Sequence, residues 1–96
     1  ARFPTANPKP CKLLPIIEET VALYREGHPN INFSINTNGD IPTLSLDRQQ
    51  IKQAMINLVD NAIAAIRQDG DIVISLDHDN QKNKIFIEVA DSGTFW

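Results

Sequence analysis

Cysteine, basic charge and long apolar runs are all scarce in this sequence of 96 residues. Its single cysteine, Cys11, excludes an internal disulfide framework and predicts a reducing compartment, the cytoplasm. There is no run of the roughly 18 apolar residues that a membrane-spanning helix needs. Nine lysines and arginines stand against twelve aspartates and glutamates, a net charge of −3. Because phosphate-backbone binding requires a basic face, we expect no nucleic-acid partner.

Length and composition predict one small globular domain. With 42% hydrophobic and 22% charged residues, the chain is neither disordered nor collagen-like. Prolines at positions 4, 8 and 10 predict a stiff, extended linker over residues 1–12. Residues 13–96 are then the domain.

The first half of this domain predicts one helix and two extended segments. Apolar residues spaced three and four apart over 13–24 predict a helix that ends at Gly27-His28-Pro29. Strict alternation over 31–35 predicts a half-buried strand, and 44–46 a short extended piece.

The second half predicts a long helix and a hairpin. The helix begins at Asp47, an N-cap candidate, and ends at Gln68-Asp69-Gly70. Strands over 72–76 and 85–89 flank a polar loop, Asp77 to Lys84, and predict an antiparallel pair. The order α-β-β-α-β-β predicts an α+β fold, a two-layer sandwich with helices on one face of a sheet. The predicted apolar face of the long helix consists of Ile51, Ala54, Met55, Leu58, Ala62, Ala65 and Ile66.

Three amide side chains line one side of the long helix: Gln53, Asn57 and Asn61, four residues apart. They border the apolar face, so a semi-buried position is expected, and unpaired amides would there cost stability. One interpretation is that they hydrogen-bond neighbouring loops and strand ends. The other is that their oxygens face a hard cation such as Mg²⁺, shared with substrate phosphates. The spacing alone leaves both open.

Residues 53–66, Gln-Ala-Met-Ile-Asn-Leu-Val-Asp-Asn-Ala-Ile-Ala-Ala-Ile, resemble the N-box of histidine protein kinases. These kinases belong to an ATPase superfamily (GHKL) with gyrase, the Hsp90 chaperones and the MutL proteins. Residues 89–93, Val-Ala-Asp-Ser-Gly, resemble the start of the family's G1 box, Asp-x-Gly-x-Gly. The resemblance covers about residues 12–93 and implies the N-terminal part of the Bergerat ATPase fold. The proline-rich start is similar to the linker of nitrogen-regulation-type sensor kinases.

The resemblance implies ATP and Mg²⁺ as cofactors and assigns a role to four residues. Asn61 matches the asparagine that coordinates Mg²⁺, and Asn57 the one near the phosphates and the metal. Asp91 matches the aspartate that accepts a hydrogen bond from the adenine amine. Gly93 lets the backbone pass close to the base, which a Cβ would obstruct.

The implied function is that of the Mg-ATP-binding catalytic region of a two-component sensor histidine kinase. The γ-phosphate would pass to a histidine on upstream dimerisation helices and then to the receiver domain of a response regulator. Asn57 stands where hydrolases of the superfamily carry a water-activating glutamate, which favours a kinase. A GHKL-type ATP hydrolase and a non-catalytic scaffold module are the alternatives. No catalytic residue is expected in this chain: His28 and His78 are expected in exposed loops, and Asp60 as a solvated charge.

The G1 pattern breaks after Gly93, since Phe95 occupies the position of its second glycine. We therefore expect a truncated domain that is inactive by itself and binds ATP weakly. The strand over 84–91 would become an edge that exposes Ile85, Ile87 and Val89, which predicts self-association through this strand. Segments outside the chain could anchor a parent kinase in the inner membrane.

Overall fold

The computed structural model describes residues 7–82 and 84–92. In chain order the elements are β1 (Lys9–Cys11), α1 (Leu13–Gly27), β2 (Ile31–Asn38), β3 (Leu44–Leu46), α2 (Arg48–Ala64), β4 (Gly70–Asp79) and β5 (Lys84–Asp91). Strands β2, β4 and β5 form a sheet in the order β2-β4-β5, with β2 parallel and β5 antiparallel to β4. Strands β1 and β3 form a separate antiparallel pair.

The hydrophobic core lies between the two helices and one face of the three-stranded sheet. Alternate residues of β4, namely Ile72, Ile74 and Leu76, point to this face and are at most 1% exposed. The expected α+β sandwich is confirmed. The buried residues packed with those of β4 are Leu13, Ile17, Val21, Ile31, Phe33, Met55, Val59 and Ala62.

Residues 9–11, expected to be linker, form β1. Lys9 pairs with Leu46 and Cys11 with Leu44. The prolines favour the extended backbone that a strand also needs, so the extended conformation was predicted but its pairing was not. Just before β1, the backbone N–H of Asn7 donates to Asp47 Oδ2 over 2.8 Å, which ties the incoming chain to the start of α2.

Helix α2 begins as predicted but is shorter and is rotated relative to the expected apolar face. Asp47 caps it by accepting from the N–H groups of Gln49 and Gln50. It ends at Ala64, before Gln68, because tight i→i−3 hydrogen bonds close its last turn. Val59 is fully buried, whereas Leu58, expected in the core, is 41% exposed.

The hairpin strands are longer than predicted, so the loop between them is shorter than Asp77 to Lys84. Asp79 Oδ1 accepts from the N–H groups of Gln81 and Lys82 and stabilises the turn. His78, expected in an exposed loop, instead lies in β4. Its Nε2 is buried and has no hydrogen-bond partner among the described residues.

No helix in the described parts of the chain is long and apolar enough to cross a membrane.

Candidate functional site

Asn57 and Asn61 lie one turn apart on α2, and both are exposed, not semi-buried as expected. Gln53 Nε2 donates a long hydrogen bond of 3.4 Å to Asn57 Oδ1. Within residues 7–82 and 84–92, the Asn61 side chain has no hydrogen-bond partner. Neither asparagine is packed into the core or bound to neighbouring main chain. The amide oxygen of Asn61 is therefore available to a ligand.

Asp91 is the last residue of β5 and stands opposite Ile72 of β4. Directly opposed residues of an antiparallel pair share a face, so Asp91 lies on the face of the sheet that the helices cover. Its side chain is exposed at the end of that face.

The end of β5 and the chain leaving α2 converge at Gly70. A Cβ placed on Gly70 would lie 3.0 Å from Ile66 Cγ2 and 3.1 Å from Ser92 Oγ, which is tighter than ordinary packing. Asn61 precedes Ile66 by five residues, and Asp91 precedes Ser92 directly. The last turn of α2, which carries Asn61, and the end of β5, which carries Asp91, therefore lie at the same edge of the fold.

Ser92 secures the end of β5. Its N–H donates to the carbonyl oxygen of Asp71 over 2.9 Å, and its Oγ accepts from the N–H of Asp71 over 2.7 Å. These bonds continue the hairpin pairing past Asp91 and hold the backbone next to it. The sequence interpretation missed this role, because serine in Asp-Ser-Gly is equally common in turns.

Gly93, the fourth residue to which the resemblance assigns a role, lies outside the described residues, as do residues 94–96.

Two hollows lie beside α2. The larger, of about 770 Å³, lies between the β1–β3 pair and the first turns of α2, and Gln53 lines its end. The second, of about 430 Å³, lies between the outer sides of α1 and α2. Neither of these two hollows is lined by Asn57, Asn61 or Asp91, all three of which are exposed.

Polar contacts link α1 to α2 at two levels. At the start of α2, Glu19 pairs with Arg48 and, at 3.2 Å, with Lys52. Hydrogen bonds from Lys52 and Arg48, followed by their charges, hold the pKa of Glu19 below its ordinary value. Further along, Tyr24 donates its hydroxyl to Asp60 Oδ1 over 2.7 Å. Asp60, expected to be merely solvated, therefore has a partner.

Tyr24 is itself held by two rings. His28, expected in an exposed loop, is half-buried and stacks on it with ring centroids 6.1 Å apart, and Phe33 lies 6.4 Å away. Burial, with the hydrogen bond to Asp60 and that carboxylate's charge, raises the pKa of Tyr24 to about 12. The hydroxyl therefore remains a donor at neutral pH.

Two curated relatives match almost the whole chain. SasA, an adaptive-response sensory kinase from Synechococcus elongatus, is 29% identical over 90 residues, which cover 92% of this chain and 23% of that protein. An NtrY-like sensor histidine kinase from Rickettsia bellii is 31% identical over 93 residues, which cover 97% of this chain and 15% of that protein. The chain thus spans less than a quarter of either relative. No protein-family model matches it.

Among solved structures, the nucleotide-free catalytic domain of the histidine kinase ThkA matches with a TM-score of 0.82 and 32% identity. This chain has the fold of a histidine-kinase catalytic domain. The match covers 92% of this chain and 60% of the ThkA domain. ThkA in complex with the response regulator protein TrrA matches with the same TM-score and identity, over 93% of this chain and 27% of that one. In this histidine-kinase fold, α2 carries the segment that resembles the N-box, and β5 ends in the segment that resembles the start of the G1 box.

Proposed function

We propose that this chain is the Mg-ATP-binding part of the catalytic domain of a sensor histidine kinase. The observation that carries the proposal is the exposure of Asn57 and Asn61 on α2, together with the exposed Asp91 at the end of β5 on the helix-covered face of the sheet. Amide oxygens in mid-helix that are not engaged by main chain suit a hard cation and its phosphates. The likeness to ThkA, SasA and the NtrY-like kinase supports the same function.

Each of these residues binds or orients the nucleotide. Asn61 Oδ1 is the proposed ligand of Mg²⁺, and Asn57 contacts the metal and phosphates from the preceding turn. The Asp91 carboxylate accepts from the exocyclic amine of adenine, and a contact of Gly93 with the base stays a prediction, because Gly93 lies outside the described residues. Bound Mg-ATP supplies the phosphoryl group and a cation that neutralises its charge.

The amide at position 57 also argues against ATP hydrolysis at this site. An uncharged amide cannot take a proton from water, so position 57 supplies no base for hydrolysis. The γ-phosphate is thereby preserved for a histidine acceptor. This argument favours a kinase over an ATP hydrolase of the same superfamily.

The proposed partners follow from that reaction: dimerisation helices that carry the acceptor histidine, and the receiver domain of a response regulator. The ThkA–TrrA complex supports a response regulator as the class of partner. Three further points stay predictions. They are the nitrogen-regulation subtype, which the NtrY-like relative supports, a cytoplasmic location, and the inactivity of these 96 residues by themselves.

Thermal unfolding of the full-length protein with and without Mg-ATP tests the proposal. We expect Mg-ATP to raise the unfolding temperature, because a ligand that binds only the folded state stabilises it. Asn61→Ala should lose most of this rise. Asn36→Ala, which changes an exposed asparagine of β2, is the matched control and should keep it. An unchanged unfolding temperature in the wild type would favour the scaffold alternative.

Phosphate release separates kinase from hydrolase. We expect full-length protein given Mg-ATP to form an acid-labile phosphohistidine with little free phosphate. Steady release of phosphate without a phosphorylated protein would favour the hydrolase alternative.

A further inference from the structure

The rotation of α2 about its own axis determines where Asn61 points. Only Met55, Val59 and Ala62 of this helix are buried among the described residues, and the last of these is small. Ile51 and Ile63, both half-buried, pack against the core at its margins. Apolar contacts are not directional, so these residues define which side of α2 faces the core better than they define its exact rotation. Leu58, at the flank of this side, is already 41% exposed, and Asn57 on the opposite side is exposed.

Small rotations matter for a metal ligand. An atom at the rim of a helix lies about 6 Å from the axis, so a rotation of about 10° moves it by roughly 1 Å. Mg²⁺ holds its ligands at about 2.0–2.1 Å in near-ideal octahedral geometry. A displacement of that size would remove the Asn61 oxygen from the coordination sphere.

The Tyr24–Asp60 hydrogen bond opposes such a rotation in the part of α2 next to Asn61. Asp60 is the immediate neighbour of Asn61 and lies on the side of α2 that faces α1. The Tyr24 hydroxyl binds its Oδ1 at 2.7 Å and also approaches the carbonyl oxygen of Ile56 at 3.5 Å. These two acceptors lie one turn apart, so the contact resists both turning and sliding of this part of the helix.

The phenol is itself anchored to the sheet. Its ring lies beside that of Phe33, which belongs to β2 and is 7% exposed, and against that of His28. The hydrogen bond therefore connects the segment around Asn61 to the sheet through a half-buried ring and not through a flexible surface chain.

We propose that Tyr24 is a positioning residue for Asn61: by holding Asp60, it sets the rotation of α2 at which the Asn61 oxygen meets Mg²⁺. This inference rests on the proposed function. Glu19 offers a matched contrast, because it also links α1 to α2 but pairs with Lys52, nine residues or about 13.5 Å before Asn61 along the axis.

The test measures ATP affinity of the full-length protein twice, with Mg²⁺ and with a chelator, by displacement of a fluorescent ATP analogue. The affinity with Mg²⁺ divided by the affinity with the chelator gives a ratio that reports how well the metal is held. A general loss of protein stability does not change this ratio. Tyr24→Phe removes only the hydroxyl, and we expect it to lower the ratio about three- to ten-fold. Asp60→Asn keeps the acceptor oxygen and should stay near the wild-type ratio, whereas Asp60→Ala should match Tyr24→Phe.

Two further variants make the result decisive. The double variant Tyr24→Phe/Asp60→Ala should be no worse than either single one, because both break the same bond. Glu19→Gln should keep the wild-type ratio. A wild-type ratio in Tyr24→Phe, together with a loss in Asn61→Ala, would overturn the positioning role and leave the proposed function intact. If Asn61→Ala also keeps the wild-type ratio, the proposed magnesium site itself is wrong.

Discussion

Asp91 stands opposite Ile72 in the antiparallel pairing of β4 and β5, although Ile72 is fully buried and Asp91 is exposed. The inner face of the hairpin thus changes from apolar to acidic within one residue pair, at the edge where the chain leaving α2 meets β5. A carboxylate at the rim of an apolar face suits a flat heterocycle that combines an apolar ring with an amine.

For Asp91→Asn, we expect ATP affinity to fall about ten-fold or more, because hydrogen bonds to a charged acceptor contribute about 1.5–3 kcal/mol. The preference for ATP over GTP should fall with it, since the carboxylate selects the exocyclic amine of adenine. Competition binding with both nucleotides measures this. Asp77→Asn changes an exposed residue of β4 on the opposite face of the hairpin and should bind like the wild type.

The rotation of α2 predicts losses of stability of different size for substitutions at two adjacent residues. Val59→Ala removes buried methyl groups and should lower the free energy of unfolding by about 2 kcal/mol. Leu58→Ala removes more carbon from an exposed position and should cost less than about 1 kcal/mol. Urea denaturation of both variants checks this order. The reverse order would mean that the helix packs on the face predicted from the sequence.

His78→Leu should raise the stability of the protein. The Nε2 atom of His78 is buried without a partner in the described part of the chain, and such a group costs about 1–3 kcal/mol. Leucine has a similar size and no polar atom, so we expect a gain of about 1 kcal/mol in urea denaturation. Destabilisation would show that the imidazole makes a favourable contact that these residues do not account for.

Asp47 should contribute to the loss of stability in acid. Backbone hydrogen bonds, first from Asn7 and then from Gln50, lower the pKa of Asp47 below its ordinary 3.8. A lowered pKa in the folded state stabilises the fold above pH 3.8, and this contribution is lost as the pH falls through the folded-state value. Asp47→Ala should therefore be less stable than the wild type at pH 7, with a difference that shrinks below pH 3.8. Urea midpoints at several pH values measure it; a constant difference would exclude this role.

Self-association through residues 84–91 remains a prediction for the 96-residue chain prepared alone. In the described sheet β5 pairs only with β4, so its other edge has backbone groups for a further strand. Ile85, Ile87 and Val89 are half-buried against the core, not exposed as expected, while Phe86 on the opposite face is 52% exposed. Light scattering with size-exclusion chromatography should show dimers or larger species, and a monomer at high concentration would contradict the prediction.

Features that depend on nearby residues were predictable from the sequence. Helix α1 ends at Gly27 and α2 starts after Asp47, as their local signals indicate. The antiparallel pairing of β4 with β5 follows from two alternating segments joined by a short polar loop. In each case the deciding contacts join residues close in sequence, so the pattern and the structure carry the same information.

Features that depend on residues distant in sequence were not predictable from the sequence. The spacing of α2 allows an apolar face with either Leu58 or Val59, and the packing of α1 and the sheet buries Val59. The parallel pairing of β2 with β4, the strand formed by residues 9–11 and the partner of Asp60 all join residues more than 25 positions apart. Periodicity contains no information about such pairs.

By itself, the sequence determined the order of helices and strands after β1 and the chemical character of the side chains on α2, because local spacing and residue type suffice for both. Only the tertiary structure decided that Asn57 and Asn61 are exposed, that Asp91 lies on the helix-covered face and that Tyr24 holds Asp60. The physical reason is that helix rotation and strand register are set by packing against distant segments, and a ligand site depends on both.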